Sequence, residues 1–468
     1  MYFEHIYERG LAQSSYLIGC QASGEAIVID PRRDIDVYLE IAAREGLRIT
    51  HVTETHIHAD YLSGAPELAA EAGARLLLSD EGGPDWLYAM DHEGLHDGDV
   101  LHIGKLRLEV LHTPGHTPEH LSFVLYDPPA GDPPRMIFTG DLVFVGDVGR
   151  PDLLEEAAGL ADTREPGARA LYASLRKFNS LPDATLIMPG HGAGSACGKA
   201  LGAVPMTTLG FERMVSWAFQ APSEQEFVEQ LLDGQPEPPR YFGMMKRLNR
   251  DRGAWRLTPR PPQVGAPEID WLAAHREQVQ IVDLRPSEVS AAQPVAGAFA
   301  IPMDQGLSTW LGWVLDYERP LVFIGADELR DAALRAAIRI GLDGIAGWIS
   351  PDALDSYREV LGSAEPVSQI AASDLAGMLG AGAAVLDVRG RSEYEEGHID
   401  GALHIHLGAL ERRRDELPQD RPVVVHCQGG YRSAIACSIL RRAGIRDVHN
   451  LTGGYAAWAE LLPTGARA

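Results

Sequence analysis

The sequence predicts an α/β protein of three domains, and its length, its hydrophobic pattern and an internal repeat support this prediction. The chain has 468 residues, about three times the length of a typical domain. Short apolar runs rich in β-branched residues, such as AIVID and LRLEVLH, alternate with helical stretches such as PELAAEAGA. The second half repeats itself at an offset of 104 residues, which relates Asp283 to Asp387. The expected domains cover residues 1–250, 264–360 and 366–468.

The composition excludes several classes of protein. Hydrophobic residues make up 45% of the chain and charged residues 23%, which excludes a disordered or fibrous protein. The net charge of −25 disfavours nucleic acids and anionic membranes as partners, because phosphate binding needs concentrated positive charge. No apolar run approaches the roughly 18 residues of a membrane span, and the residues MYFEHIYERG lack a signal-peptide pattern. Four cysteines are too few for a disulfide framework, so we expect a cytoplasmic protein with reduced thiols.

Residues 1–250 contain a candidate metal site. Of the 17 histidines in the chain, 11 lie between His5 and His191. Four polar motifs each follow an apolar run and therefore lie at predicted strand ends: THIHAD, HTPGHT, TGD and PGH. In THIHAD the donor side chains alternate along the chain, so that they leave the strand end on one side. The pattern predicts a metal site built from several strand ends.

These four motifs, in this order, resemble the metallo-β-lactamase superfamily, which implies a four-layer αββα sandwich for the first domain. Binuclear hydrolases of that superfamily carry the motif HxHxDH, but Tyr61 stands here in place of the final histidine. The persulfide dioxygenase branch is more similar, and it holds a single Fe(II) through two histidines and an aspartate. By motif position the resemblance implies His56, His116 and Asp141 as ligands of a mononuclear iron. Four neighbours are expected to orient these ligands by hydrogen bonds: His58, Asp60, Tyr61 and His191.

Two loops near the motifs supply candidate substrate-binding residues. Arg150, in the sequence GRPD, resembles a pocket-lining arginine of persulfide dioxygenases, and a loop-stabilising role is an equally good interpretation. Cys197 lies in the small-residue stretch GAGSACGKALG, which resembles fusions of a persulfide dioxygenase to rhodanese units. It is a candidate carrier of persulfide near the iron, with a buried structural thiol as the alternative.

The two units of the repeat each alternate strands with helices, which predicts a small parallel sheet covered by helices. The buried run LVFIG of the first unit aligns with VVVHC of the second, and Gly325 then stands opposite Cys427. Only the second unit keeps a cysteine at this loop. The first unit is therefore expected to be catalytically inactive and to serve in packing.

The loop CQGGYR, from Cys427 to Arg432, has the pattern of a nucleophile site. Its glycines let backbone N–H groups turn towards the sulfur, and the following helix presents its positive end, so both favour a thiolate. The six-residue spacing from cysteine to arginine, the run DVRxxxEYxxGHIxGA and the stretch NLTGGYAAW resemble the rhodanese sulfurtransferases. The resemblance implies Cys427 as the nucleophile and Arg432 as its cation. The loop residues between them are expected to bind substrate: Gln428, Gly429, Gly430 and Tyr431.

Together the two resemblances imply a persulfide dioxygenase and sulfurtransferase of sulfide detoxification. The iron site would oxidise a low-molecular-weight thiol persulfide with O₂ and water to sulfite and thiol. The rhodanese site would pass sulfane sulfur to or from thiosulfate through a persulfide on Cys427. The implied substrates are glutathione or coenzyme A persulfides, and the resemblance implies a homo-oligomer.

Two other functions stay open from the sequence. The first is a thioester hydrolase like glyoxalase II that carries rhodanese units as sulfur carriers, and Tyr61 argues against it. The second is a sulfur carrier or sensor without enzymatic activity, which would use Cys427 alone. The metal content separates the dioxygenase from the hydrolase, because the hydrolase pattern holds two ions.

Overall fold

The structure is a computed structural model that describes residues 1–156, 162–199, 201–251 and 261–462. The chain divides into two compact units. The first unit comprises Met1–Pro261 with Arg335–Gly341, and the second comprises Pro262–Leu334 with Leu342–Ala468.

The first unit contains two mixed sheets. One sheet has its strands in chain order, β1 (Tyr2–Glu8), β2 (Gln13–Cys20), β3 (Glu25–Ile29), β4 (Arg48–Thr53), β5 (Arg75–Ser79) and β6 (Glu93–Leu95). The other sheet runs, from one edge to the other, through β7 (Val100–Ile103), β8 (Leu106–His112), β9 (Leu121–Tyr126), β10 (Met136–Gly140), β11 (Leu186–Pro189) and β12 (Thr207–Thr208). The neighbours β3, β4 and β5 pair in parallel, as do β10 and β11, so polar residues after these strands gather at sheet edges.

The helices of the first unit are α1 (Asp36–Arg44), α2 (Ala65–Ala72), α3 (Leu153–Glu156), α4 (Arg164–Lys177), α5 (Leu209–Val215), α6 (Trp217–Gln220), α7 (Glu224–Leu232) and α8 (Phe242–Asp251). Helices α1 and α2 pack on the outer face of the first sheet, through apolar residues such as Ile41 and Leu68. Helices α4 and α7 cover the outer face of the second sheet, through residues such as Leu171 and Phe227.

The inner faces of the two sheets form one apolar core. Tyr16 and Ile27 of the first sheet pack with Phe123 and Phe138 of the second, and all four are buried. Full burial of such a side chain contributes about 1.5–3 kcal/mol to stability. The layers are therefore helix, sheet, sheet and helix, and the predicted αββα sandwich is confirmed.

The second unit contains two parallel sheets. The first has the order β14 (Phe299–Ala300), β13 (Gln280–Asp283), β15 (Leu321–Ile324) and β16 (Ile345–Ile349). The second has the order β17 (Ser368–Ile370), β21 (Val448–Leu451), β20 (Val423–His426), β18 (Ala384–Asp387) and β19 (Leu403–His404). The helices of this half of the chain are α9 (Ile269–His275), α10 (Ser287–Ala292), α11 (Leu307–Val314), α12 (Arg330–Ile338), α13 (Arg358–Leu361), α14 (Leu375–Gly380), α15 (Arg391–Glu396), α16 (Leu410–Arg413), α17 (Tyr431–Arg442) and α18 (Gly454–Glu460). The last residues of α12, from Arg335 on, belong to the first unit.

The two sheets of the second unit share one topology. In the first sheet β13 lies between β14 and β15, and in the second sheet β18 lies between β19 and β20 in the same way. The repeated sequence therefore forms a repeated fold. The central strands β13, β15, β18 and β20 are buried at every position, which explains their uninterrupted apolar runs. The prediction of an α/β protein is thus confirmed. Within the described part of the chain, every helix is too short or too polar to cross a lipid bilayer.

Candidate functional site

Three strand ends of the first unit bring together a buried group of donor atoms. His56 follows β4, His116 lies in the loop between β8 and β9, and Asp141 follows β10. The Oδ2 atom of Asp141 lies 3.9 Å from Nε2 of His56 and 3.6 Å from Nε2 of His116. One donor atom from each of the three residues lies within 4.8 Å of the others, so the group has the size of a metal site.

Hydrogen bonds on the outer side of each ring orient the two histidines. The Nδ1–H of His116 donates to the carbonyl oxygen of Arg150 at 3.0 Å, which leaves Nε2 with its lone pair. Nδ1 of His56 lies 2.9 Å from Oγ1 of Thr55. Thr55 in turn donates through its backbone N–H and its hydroxyl to the carboxylate of Asp30, at 2.6 and 2.9 Å. Both imidazoles therefore present Nε2 to Asp141.

The electrostatics of this group suit a cation. Among the residues that the structure describes, Nε2 of His56 and both carboxylate oxygens of Asp141 are buried without a hydrogen-bond partner. Burial lowers the pKa of His56 and of His116 well below the usual value, so both rings stay neutral. Burial also raises the pKa of Asp141 to about 6, although the neighbouring His191 and Cys197 side chains lower it in part. Convergent lone pairs of this kind are stabilised by a metal ion, so the residues fit one.

A second buried group lies beside the first. Asp60, His191 and Cys197 also have donor atoms within 4.8 Å of one another. Nε2 of His191 lies 3.2 Å from Oδ2 of Asp60 and 3.5 Å from Oδ1 of Asp141, while its Nδ1–H donates to the carbonyl of Ala12 at 3.1 Å. Burial raises the pKa of the Cys197 thiol well above its usual value. The chain thus offers a second donor set in which a thiol joins a histidine and a carboxylate.

The glycine of the motif PGH is needed for this arrangement. A Cβ atom at Gly190 would lie 2.6 Å from Oδ1 of Asp141, which is too close for a carbon beside an oxygen. Only glycine lets the loop after β11 pass this close to the carboxylate.

His58 and Tyr61 point away from the donor groups. The Nε2–H of His58 donates to Oδ1 of Asp30 at 3.1 Å, and the hydroxyl of Tyr61 donates to the backbone carbonyl of Asp30 at 3.2 Å. Burial alone would lower the pKa of His58, but the Asp30 carboxylate raises it to about 9. His58 therefore carries a proton on the nitrogen that would otherwise bind a metal.

The Arg150 side chain is already paired inside the protein. Its Nε and Nη2 donate to the carboxylate of Asp152 at 3.0 and 2.5 Å, and its Nη1 donates to the carbonyl of Ala196 at 3.2 Å. The residue is buried, and its backbone carbonyl accepts the bond from His116. These contacts favour the loop-stabilising interpretation, in which Arg150 joins the loop of His116 to the loop of Cys197.

The second unit presents a thiol at the end of β20. Cys427 is buried, and its Sγ accepts a hydrogen bond from the backbone N–H of Gly430 at 3.1 Å. Gly430 has φ = 106°, a conformation that a side chain would strain. The carbonyl oxygens of Cys427 and Gln428 accept bonds from the start of α18, from the backbone of Tyr455 at 2.7 Å and of Ala456 at 3.1 Å. The loop is therefore held as a cradle in which a backbone donor faces the sulfur.

The cation of this loop is held by a carboxylate. Nη1 and Nη2 of Arg432 donate to the two oxygens of Glu393 at 2.6 and 2.7 Å, and Glu393 also accepts the backbone N–H of Gly390 at 3.0 Å. On the other side, Oε1 of Gln428 accepts a bond from Arg389 at 3.3 Å. Among the described residues, a Cβ at Gly429 would meet nothing within 4 Å, so this side of the loop is open.

Replacing Glu393 with glutamine is expected to lower the melting temperature at neutral pH and to matter little in acid. Burial raises the pKa of this carboxyl, but the hydrogen bonds and charge of Arg432 lower it more, to below its usual 4.5. Such a group stabilises the fold above its unfolded pKa, and the contribution disappears as the pH falls through the folded value. Melting curves of both proteins between about pH 3 and pH 7 measure this difference. A difference in melting temperature that stays constant with pH would contradict the prediction. The matched control is Glu416→Gln, which removes a carboxylate from an exposed pair with Arg413.

Some contributing residues were absent from the sequence prediction. Asp30 fixes both Thr55 and His58, and Oε1 of Glu119 accepts the backbone N–H of Ile57 at 2.8 Å, between the two histidines. Asp30 follows β3, so its position at a strand end was the available signal. Glu393 is the glutamate of the run DVRxxxEY, but nothing in that spacing shows that it pairs with Arg432.

Comparison with known proteins assigns two stretches of the chain to families. Residues 9–191 match the metallo-beta-lactamase superfamily, and residues 371–461 match the rhodanese-like domain. A metallo-beta-lactamase of known structure from Staphylococcus aureus subsp. aureus COL is 40% identical, with a TM-score of 0.70. The match covers 75% of this chain and 99% of that one.

Two curated relatives differ in the activity that their names carry. A hydroxyacylglutathione hydrolase of Polaromonas sp. is 35% identical over 181 residues, and the mitochondrial persulfide dioxygenase of Bos taurus is 34% identical over 186 residues. Each match covers 38% of this chain. The chain spans 61% of the hydrolase and 63% of the dioxygenase, less than two thirds of either relative.

Proposed function

We propose that this chain, which belongs to the metallo-β-lactamase superfamily and carries a rhodanese-like domain behind that fold, is a persulfide dioxygenase joined to a sulfurtransferase. The observation that carries the proposal is the buried group of His56, His116 and Asp141, in which Nε2 of His56 and both oxygens of Asp141 have no hydrogen-bond partner and suit one ion. Tyr61, which turns its hydroxyl to the Asp30 backbone, supports a mononuclear site.

The proposed metal is Fe(II), because two imidazoles and one carboxylate on one face leave positions for substrate and O₂. When bound, the iron would supply the activation of O₂ that side chains lack. The chain itself orients both imidazoles through their Nδ1 atoms and buries all three donors, which excludes bulk water. The overall reaction, RSSH + O₂ + H₂O → RSH + SO₃²⁻ + 2 H⁺, takes four electrons from the terminal sulfur and gives them to O₂.

The rhodanese site would handle the sulfur as a covalent persulfide. The Cys427 thiolate attacks the outer sulfur of a thiol persulfide, the S–S bond of that donor breaks, and the thiol leaves with the electron pair. Sulfite then attacks the outer sulfur on Cys427, which releases thiosulfate and restores the thiolate. The Gly430 N–H and the Arg432 guanidinium stabilise the negative charge in both steps. The proposed donors are glutathione or coenzyme A persulfides, and the transfer runs in reverse from thiosulfate.

A hydrolase like glyoxalase II is the second candidate, and the group of Asp60, His191 and Cys197 favours it. This group offers three donors, one of them a thiol, for a second ion. A binuclear site of that kind would activate water for thioester cleavage.

Metal analysis and O₂ uptake on one anaerobically purified sample test the proposal. We expect about one iron per chain, O₂ consumption with glutathione or coenzyme A persulfide, and no cleavage of S-lactoylglutathione. Two metal ions per chain with cleavage of S-lactoylglutathione would instead establish the hydrolase. An iron-loaded protein that consumes no O₂ with either persulfide would overturn the dioxygenase.

A further inference from the structure

We propose that Tyr431 is a positioning residue that ties the Cys427 loop to the preceding repeat, and that this repeat thereby controls the reactivity of the thiol. The inference rests on the sulfur transfer proposed above. Residues 264–360 have Gly325 where the second repeat has Cys427, so they lack the nucleophile. The inference gives them a specific part in the chemistry of the second repeat.

The contact is a hydrogen bond from the thiol loop to the loop after β14. The hydroxyl of Tyr431 donates to the backbone carbonyl of Pro302 at 3.0 Å. Burial and the nearby carboxylate of Asp304 both raise the pKa of this phenol, so it stays a proton donor. Pro302 and Asp304 belong to the first repeat, whereas Tyr431 is the fifth residue of CQGGYR.

The position of Tyr431 in the loop gives this bond its effect. The residue before it, Gly430, provides the N–H that donates to Sγ of Cys427, and the residue after it, Arg432, provides the cation. Gly430 adopts φ = 106°, and glycine is the residue whose backbone has the widest choice of conformations. A side-chain anchor on the next residue restricts that freedom, so the N–H stays directed at the sulfur. The anchor therefore acts through Gly430 and not by touching the substrate.

Packing between the repeats supports the anchor on both sides. The ring of Trp313 in α11 meets His406 edge to face at 5.0 Å, and a Cβ at Gly408 would overlap that indole. At the other end of α17, the guanidinium of Arg442 lies 3.8 Å above the ring of Phe299. The first repeat thus contacts the second before the helix that Tyr431 begins and again at the end of that helix, where Phe299 lies three residues from Pro302.

Replacing Tyr431 with phenylalanine keeps the ring and removes the bond. We expect the pH profile of Cys427 alkylation by iodoacetamide, followed on its peptide by mass spectrometry, to move to higher pH. The rate at pH 7 should fall about three- to tenfold, because less thiolate is present. For transfer from thiosulfate to cyanide, KM should rise more than kcat falls.

The matched control is Tyr357→Phe. Tyr357 is buried in the first repeat and donates through its hydroxyl to the carbonyl of Pro267 at 2.6 Å, so it loses the same kind of bond away from the thiol loop. We expect this variant to keep the wild-type alkylation profile. Its melting temperature should be similar to that of Tyr431→Phe. A wild-type profile in Tyr431→Phe, or an equal shift in both variants, would overturn the inference. Alkylation needs neither O₂ nor a sulfur donor, so a failure of the proposed function is seen separately, as absent turnover in the wild type.

Discussion

Replacement of His56 by alanine is expected to remove the metal from the first unit and to lower O₂ uptake with a thiol persulfide by about a thousandfold or more. The proposed metal site consists of three side chains, those of His56, His116 and Asp141, so each of them is needed to hold the ion. Loss of a residue that merely orients a ligand already reduces metal affinity or activity by about 10- to 100-fold, and loss of the ligand itself has a larger effect. Metal content and O₂ uptake are measured on the same sample.

The control for this variant lies on β4, the strand that precedes His56. His51 is a buried histidine of β4 whose ring contacts Thr50 and Arg75 and lies outside both donor groups. We expect His51→Ala to keep its iron and at least half of the O₂ uptake. If His56→Ala retained both metal and O₂ uptake, the proposed site would be wrong.

Replacement of Cys427 by serine is expected to abolish the proposed sulfur transfer and to leave O₂ uptake within about twofold of the wild type. A serine hydroxyl cannot form the persulfide on which the transfer depends, because only a thiolate attacks sulfane sulfur at neutral pH. The Cys427 loop and the His56 group belong to different units of the structure, so each activity has its own residues. Thiosulfate formation and O₂ uptake, recorded in parallel, measure the two activities.

Cys437→Ala is the matched control for the thiol. Cys437 is also buried and lies in α17, within the same unit, and burial raises its pKa to about 12. This thiol stays protonated, so we expect its loss to lower stability without a change in sulfur transfer. An outcome in which Cys427→Ser also abolished O₂ uptake would show that the two sites are not separable, and the proposed division of labour would be wrong.

Local sequence patterns were enough to predict the class of fold and which strand ends bring candidate metal donors together. Apolar runs that end in polar motifs predicted the strand ends, and His56, His116 and Asp141 meet at three of them. The offset between Asp283 and Asp387 predicted the repeat, and the two sheets share their strand order. Such features are readable because periodicity and strand termination depend on residues close together in the chain.

The contacts that complete the sites could not be predicted in this way. The spacing of DVRxxxEY gives no sign that Glu393 pairs with Arg432, 39 residues away. Asp30 and Glu119 reach the segment around His56 from other strands, and each uses one carboxylate to hold backbone of that segment. Side chains far apart in sequence meet only through the packing of sheets, and the sequence pattern of one element does not contain that packing.

By itself the sequence determined an α/β chain with a histidine-rich metal domain and a thiol loop, because strand ends, glycine loops and repeats are local properties. Only the tertiary structure decided which donors face one another. It brought Cys197 to Asp60 and His191, and it turned His58 towards Asp30. It also joined Tyr431 to Pro302, 129 residues apart. Burial is the reason, since a polar group inside a protein takes its partner from whichever chain segment the fold places beside it.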